Sequence, residues 1–289
     1  MEDVVVLPAR SRRPAGPVAV VLSSGANMGA VQVGVLRALV EHGVHPDLVV
    51  GCSIGALNGA ALAHDPTVAG VARLEEAWTT ADARGVIPRP WLPPAVALIR
   101  RGESVASRDG LHRLIERSVA ATSFADLAVP FHCVATDVEA CTDAWFSEGP
   151  LLDALLASAA MPAMFPPVTI DGRRYIDGAV VNDVPVRRAV ALGARTVYVV
   201  EVGPLSTRDW SVSRRPLGAA IEAYWVARRH RFRRELEAVP PDVEVHLMPH
   251  GDPPRVRLGD FTRTPDLIAG AHAASSAYLD ALRPLGTPA

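Results

Sequence analysis

The chain has 289 residues, 49% of them hydrophobic, enough to bury one sizeable α/β core, and its formal net charge of −2 gives no overall pull toward nucleic acid. All 29 basic residues are arginine, so a lysine Schiff base and a Walker-type phosphate loop are both excluded. Three cysteines, Cys52, Cys133 and Cys141, lack metal-ligand spacing and form no disulfide framework, which points to a reducing, cytoplasmic setting.

Residues 1–16, with Arg10, Arg12 and Arg13, read as a flexible arm, and 17–289 as a single domain with a helical C-terminal region. The continuous apolar run Val18–Leu22 suits a strand buried on both faces. A small, turn-rich stretch at 23–29 leads to a helix at 31–42, stopped by Gly43. A second buried strand at 48–50, a tight turn at 51–55 and a small-residue helix at 56–63 complete the alternation expected of a parallel sheet with crossover helices. Prolines at 88–94, followed by apolar 95–99, read as a lid or a surface connector. Helices are expected at 111–119 and 151–160, and strands at 130–136, 144–147, 168–170 and 173–176, the last two joined by the hairpin turn Asp171-Gly172. Buried strands at 196–202 and 243–248 and helices at 217–238 and 267–282 follow. No stretch reaches the ~20 apolar residues of a membrane-spanning helix.

Gly51-Cys52-Ser53-Ile54-Gly55 fits the G-x-S-x-G pattern of a serine nucleophile on a sharp strand-to-helix turn. Flanking glycines let neighbouring chain pass close, and the following helix aims its amide end at a developing oxyanion. Taken alone, this spacing also suits a helix packed on a sheet. The segment Ser24-Gly25-Ala26-Asn27-Met28-Gly29 offers backbone amides as an anion cradle, or is a plain turn; it lacks the glycines of a dinucleotide site. None of the nine histidines sits in a catalytic motif; His42 and His45 read as surface and His246 as core or edge. Asp177-Gly178-Ala179 ends a short strand, where a carboxylate can take a serine proton directly, though pattern alone does not separate it from the turn at Asp171-Gly172. The stretch 221–236 sets Tyr224, Trp225 and Phe232 beside Arg228, Arg229, Arg231, Arg233 and Arg234. It reads as a surface helix with its apolar side on the core or, less favoured, as a peripheral membrane contact.

Three blocks resemble the patatin-like phospholipase family, in the family's order. The first joins Val31-Gln32-Val33-Gly34-Val35-Leu36 after Gly29 to Pro46-Asp47-Leu48-Val49-Val50-Gly51-Cys52-Ser53-Ile54-Gly55-Ala56-Leu57-Asn58-Gly59-Ala60. The second is Ala157-Ser158-Ala159-Ala160-Met161-Pro162 with Phe165-Pro166-Pro167-Val168, and the third Asp177-Gly178-Ala179 with Asn182-Asp183-Val184-Pro185. Together they span roughly residues 18–202, about two thirds of the chain. The resemblance implies a three-layer α/β/α fold with a mostly parallel central sheet. It also implies a Ser–Asp dyad of Ser53 and Asp177, which prefers Asp177 over Asp171. The implied oxyanion hole is made by the amides of Gly25, Ala26 and Asn27 with Ile54, and Gly29, Gly51, Gly55 and Gly178 support the motifs. No metal or organic cofactor is implied, and the substrate is a lipid or fatty-acyl ester. The family's G-G-G-x-[Arg/Lys]-G segment departs here at Ser24, Ala26 and Met28. A positive φ at Ala26 would cost on the order of 1 kcal/mol relative to glycine, and Met28 removes a cation, which favours a neutral ester. A Ser-His-Asp hydrolase, an acyltransferase and a catalytically weak lipid-binding relative are the alternatives. The sequence leaves the oligomeric state open.

Overall fold

The computed structural model describes residues 16–81, 108–202, 216–254 and 256–282. The expected arm, but for its last residue, and the proline-rich lid or connector lie outside them.

One mixed sheet organises these residues. Its strands are β1 (Val18–Leu22), β2 (Leu48–Cys52), β3 (Phe131–Asp137), β4 (Thr142–Phe146), β5 (Val168–Ile170), β6 (Arg173–Asp177), β7 (Thr196–Val200) and β8 (Glu244–Leu247). The hydrogen-bonded path runs β5-β6-β3-β2-β1-β7-β8, and β4 also pairs with β3. From β3 to β8 every pairing is parallel; β4, β5 and β6 add antiparallel pairings. Val18-Ala19-Val20-Val21-Leu22 shows why the central strands are continuously apolar. Val18, Val20 and Leu22 join one buried cluster, and Ala19 and Val21 join another on the opposite face.

Helices cover both faces. On the first lie α1 (Gly29–Glu41), α2 (Ile54–His64), α3 (Val68–Thr79), α4 (Asp109–Ser118), α5 (Leu151–Ser158) and, toward the end of the chain, α8 (Thr264–Leu282). On the second lie α6 (Val186–Ala191), through Val186 and Ala189, and α7 (Pro216–Glu237), through Phe232. The result is the expected three-layer α/β/α architecture. Helix α1 is buried almost all round rather than on one stripe, because α8 packs along it and α2 and α3 flank it. Gly34 permits that contact: a Cβ there would lie 2.2 Å from the Ile268 carbonyl oxygen. Helix α7 packs its apolar side on the sheet. Among the described residues no helix is long and apolar enough to cross a membrane.

The neighbours of β3 fix the position of the site. β4 pairs with residues 133–137 of β3, so it occupies one edge throughout. On the other edge, β2 pairs with residues 131–134 and β6 with 135–137. β2 runs parallel to β3 and β6 antiparallel, so these two strands run head-on. Their last residues, Cys52 and Asp177, stand opposite Val134 and Ala135. The residue after Cys52 is Ser53.

Candidate active site

The expected tight turn at 51–55 is in fact one residue long: β2 continues through Cys52 and α2 begins at Ile54. Ser53 alone reverses the chain, at φ 56 and ψ −123. A non-glycine residue in such a sparsely populated region costs about 1–3 kcal/mol and is held there by its surroundings. Here the Ser53 amide donates to Ser158 Oγ at 2.9 Å, and that hydroxyl donates to the Val134 carbonyl at 2.7 Å. A Cβ at Gly55 would sit 2.4 Å from the Ser23 carbonyl oxygen, and one at Gly51 equally close to the Gly55 carbonyl. The motif glycines are therefore set by close approach of backbones.

Ser53 Oγ donates to Asp177 Oδ2 at 2.6 Å. The other carboxylate oxygen accepts the Ala179 amide at 2.9 Å. The backbone of Asp177 is pinned on both sides, its N–H to the Ala160 carbonyl at 2.9 Å and its C=O by Thr136 Oγ1 at 2.8 Å. Gly178 lies so near β3 that a Cβ would be 2.3 Å from the Val134 carbonyl oxygen. Both side chains are nearly enclosed, Ser53 at 6% and Asp177 at 4% exposure. Burial pushes the Asp177 carboxyl up from its ordinary 3.8 to about 6, against the downward pull of the Ser53 hydroxyl, the Ala179 amide and the Arg228 charge. Asp171 sits instead at the tip of the β5–β6 hairpin, at φ 50. Three of the histidines are engaged elsewhere: His42 with Asp280, His272 with Glu41, and buried His246 with Tyr198 and Tyr278.

The segment after β1 forms a single 3-10 turn, Ala26–Met28, and Ala26 takes the positive φ of 49 that its departure from glycine made costly. The amides of Gly25, Ala26 and Ile54 make no hydrogen bond with another described residue, so they are available as donors. The turn is gripped from several directions. Asn27 Nδ2 donates to the carbonyls of Arg257 and Asp260, each at 3.0 Å. A buried polar chain runs from Trp78 Nε1 to Asn58 Oδ1, from Asn58 Nδ2 to Gln32 Oε1, and from Gln32 Nε2 to the Ser23 carbonyl, with distances of 2.7–2.8 Å. Gly29 lies under the Trp78 ring, where a Cβ would be 2.6 Å from ring carbon Cζ2. Met28 removes a cation locally, yet the neighbourhood is not without one: Arg228 of α7 donates to Ser24 Oγ at 2.6 Å.

Ser53 opens on an apolar cleft walled by Trp78, Leu111, Leu114, Met161, Phe165 and Phe261, with Ala26 and Ile54 at its polar end. Among the described residues no group of three or more His, Cys, Asp or Glu side chains gathers as a metal site. Sequence reasoning missed Ser158, Trp78, Arg228 and Phe261. Ser158 lay in a matched block without an assigned role, and Arg228 was noted only as part of a basic helix.

The chain is similar to several known proteins. Patatin-like phospholipase domain-containing protein 6 of Mus musculus is 29% identical over 211 residues, which is 72% of this chain but 15% of that protein. Lysophospholipase NTE1 of Mycosarcoma maydis is 26% identical over 217 residues, 72% of this chain and 11% of that protein. The chain therefore spans only a small part of the curated relatives it matches. Among solved structures, VipD from Legionella pneumophila aligns with a TM-score of 0.48 at 14% identity, over 93% of this chain and 67% of that one. Residues 20–190, which carry β1, the Ser53 turn, β6 and Asp177, match the family described as patatin-like phospholipase, and with well over half its length matched the chain belongs to that family.

Proposed function

We propose that the chain is a serine lipid-acyl hydrolase in which Ser53 is the nucleophile and Asp177 its general base. The single observation that carries this reading is the 2.6 Å hydrogen bond from the Ser53 hydroxyl to a buried carboxylate, at the end of an apolar cleft. In its ionised form Asp177 takes the hydroxyl proton as Ser53 Oγ bonds to the ester carbonyl carbon. The carbonyl oxygen gathers negative charge beside the amides of Gly25, Ala26 and Ile54, with Asn27 holding their segment in place. Collapse breaks the ester C–O bond, and the proton on Asp177 passes to the leaving alcohol. Water then gives a proton to Asp177 and attacks the acyl-enzyme; the proton returns to Ser53 Oγ and the fatty acid departs. A carboxyl near 6 suits this role, since it is ionised at neutral pH yet basic enough to accept a proton.

The substrate follows from the walls. The cleft's aromatic and aliphatic side chains match the chemistry of an acyl chain, which asks for no polar partner. The lysophospholipase activity named for one relative supports a lipid ester. The nearby cation, Arg228, is already paired with Asp183, which favours a neutral ester over an anionic headgroup at this point. The test is a panel of p-nitrophenyl and glycerolipid esters of increasing acyl length. Turnover that disappears in Ser53→Ala supports the reading; ester turnover that survives in Ser53→Ala refutes it.

A further inference from the structure

Arg228 presents an unexplained expense. It lies in the middle of α7, outside the region matched to the family, and its side chain is 6% exposed beside Asp183 at 7%. Removing two charges from water costs several kcal/mol per ion, and a buried ion pair is often replaceable by apolar residues without loss of stability. Burial of the pair therefore calls for a reason other than stability.

The contacts supply one. The same terminal nitrogen of Arg228 donates to Ser24 Oγ at 2.6 Å and pairs with Asp183 Oδ2. Asp183 Oδ1 in turn accepts the Ser24 amide at 3.2 Å. Ser24, Asp183 and Arg228 thus close a ring drawn from three separate segments. Ser24 immediately precedes Gly25 and Ala26, whereas Asp183 follows Asp177 by six positions. The guanidinium lies 4.3 Å from the Trp225 ring centroid and 5.6 Å from that of Tyr224, which fixes its plane. Its Nε is buried without a partner among the described residues, so the stacking and the bridging nitrogen define its pose.

We propose that Arg228 is a positioning residue for acyl transfer: with Asp183 it locks the segment carrying the Gly25 and Ala26 amides to the turn carrying Asp177. This rests on the dyad reading above. The amides stand in the turn after β1 and the carboxylate at the end of β6, and a misplacement of about 1 Å between them costs roughly a hundredfold in rate. Arg228 also draws the Asp177 carboxyl downward, while Asp183 pushes it up. The other titratable groups that face this pair, the Cys52 thiol and the Tyr224 phenol, are kept neutral by burial.

The experiment compares wild type, Arg228→Met, Arg228→Lys and the double variant Arg228→Met with Asp183→Asn, using p-nitrophenyl octanoate and thermal unfolding. Arg228→Met is expected to lower kcat by roughly a hundredfold with KM nearly unchanged, and to move the acid limb of the kcat profile to higher pH. In the double variant neither charge is left unpaired, so the thermal midpoint returns toward wild type while kcat stays low. Arg228→Lys keeps the charge without the planar fork, so the acid limb returns but kcat stays at least roughly tenfold down. Recovery of kcat together with the midpoint in the double variant overturns the proposal, as does full kcat in Arg228→Lys or Arg228→Met. If the double variant does not fold, the lysine variant decides. A wild-type chain inert to the ester would refute the dyad reading itself, which distinguishes the two failures.

Discussion

Replacing Asp177 by Asn should remove activity and yet stabilise the protein at neutral pH. The folded carboxyl sits at about 6 and its ordinary value is 3.8, so between those values the folded state holds a proton that the unfolded chain has released. Stability must then fall as pH rises through that window, by about 1.4 kcal/mol per unit and about 3 kcal/mol in all, with no further change above pH 7. The carboxamide of the Asp177→Asn variant cannot ionise, can still accept the Ala179 amide, and escapes that loss. The difference between variant and wild type should be small near pH 4 and grow to about 3 kcal/mol by pH 7. At about 2 °C per kcal/mol for a chain of this size, that is about 6 °C in thermal midpoint. The assay is the midpoint of both proteins at half-unit steps from pH 4 to pH 8. A variant less stable than wild type at pH 7.5, or an offset that does not change with pH, would refute the claim that burial of an ionised Asp177 strains the fold.

Other outcomes follow from the same contacts. Ser158→Ala leaves the Ser53 amide and the Val134 carbonyl without their shared partner, and each such group costs about 1–3 kcal/mol. A drop of about 2–6 kcal/mol in unfolding free energy, with a lower kcat as Ser53 loses its hold, is expected by urea titration and ester assay; unchanged values would refute the role. Phe261→Ala removes a wall that faces Trp78 at 6.0 Å between ring centroids. The kcat/KM ratio of long to short acyl esters should rise by about tenfold, the scale of a methylene-sized change in an apolar pocket; an unchanged ratio would place the acyl chain elsewhere. Arg228 and Phe232 are both committed to the interior, which fits α7 as a helix with its apolar side on the core. Flotation with neutral and anionic vesicles should show no preference for the anionic ones, and a strong preference would revive α7 as a membrane contact.

The strands and the serine turn were legible because their signals are local. Five consecutive apolar residues mark β1, and Asp171-Gly172 forms the expected hairpin with both residues at positive φ. The Ser53 turn announces itself within five residues, although spacing alone left Asp177 and Asp171 equivalent and the family resemblance separated them. Helix α3 was legible but passed over: Thr67 caps it by accepting the Gly70 amide, and Val71, Leu74 and Trp78 recur at helical spacing. Ser158 and Arg228 were not legible in this way. Their partners lie 105 and 204 positions away, and nothing in the pattern around either residue says which way its side chain turns. The same holds for Phe261, brought to the cleft by a segment whose Arg257 and Asp260 carbonyls accept from Asn27 Nδ2.

In the proposed mechanism Ser53 reacts because Asp177 takes its proton. The most direct measurement is the rate of covalent labelling by a fluorophosphonate as a function of pH, with the labelled residue identified by peptide mass spectrometry in wild type and Asp177→Asn. The predicted result is a label on Ser53 alone, at a rate that climbs through about pH 6 and levels off above it, and almost no label in the variant. Labelling of another residue, or an Asp177→Asn protein that labels as fast as wild type, would contradict it.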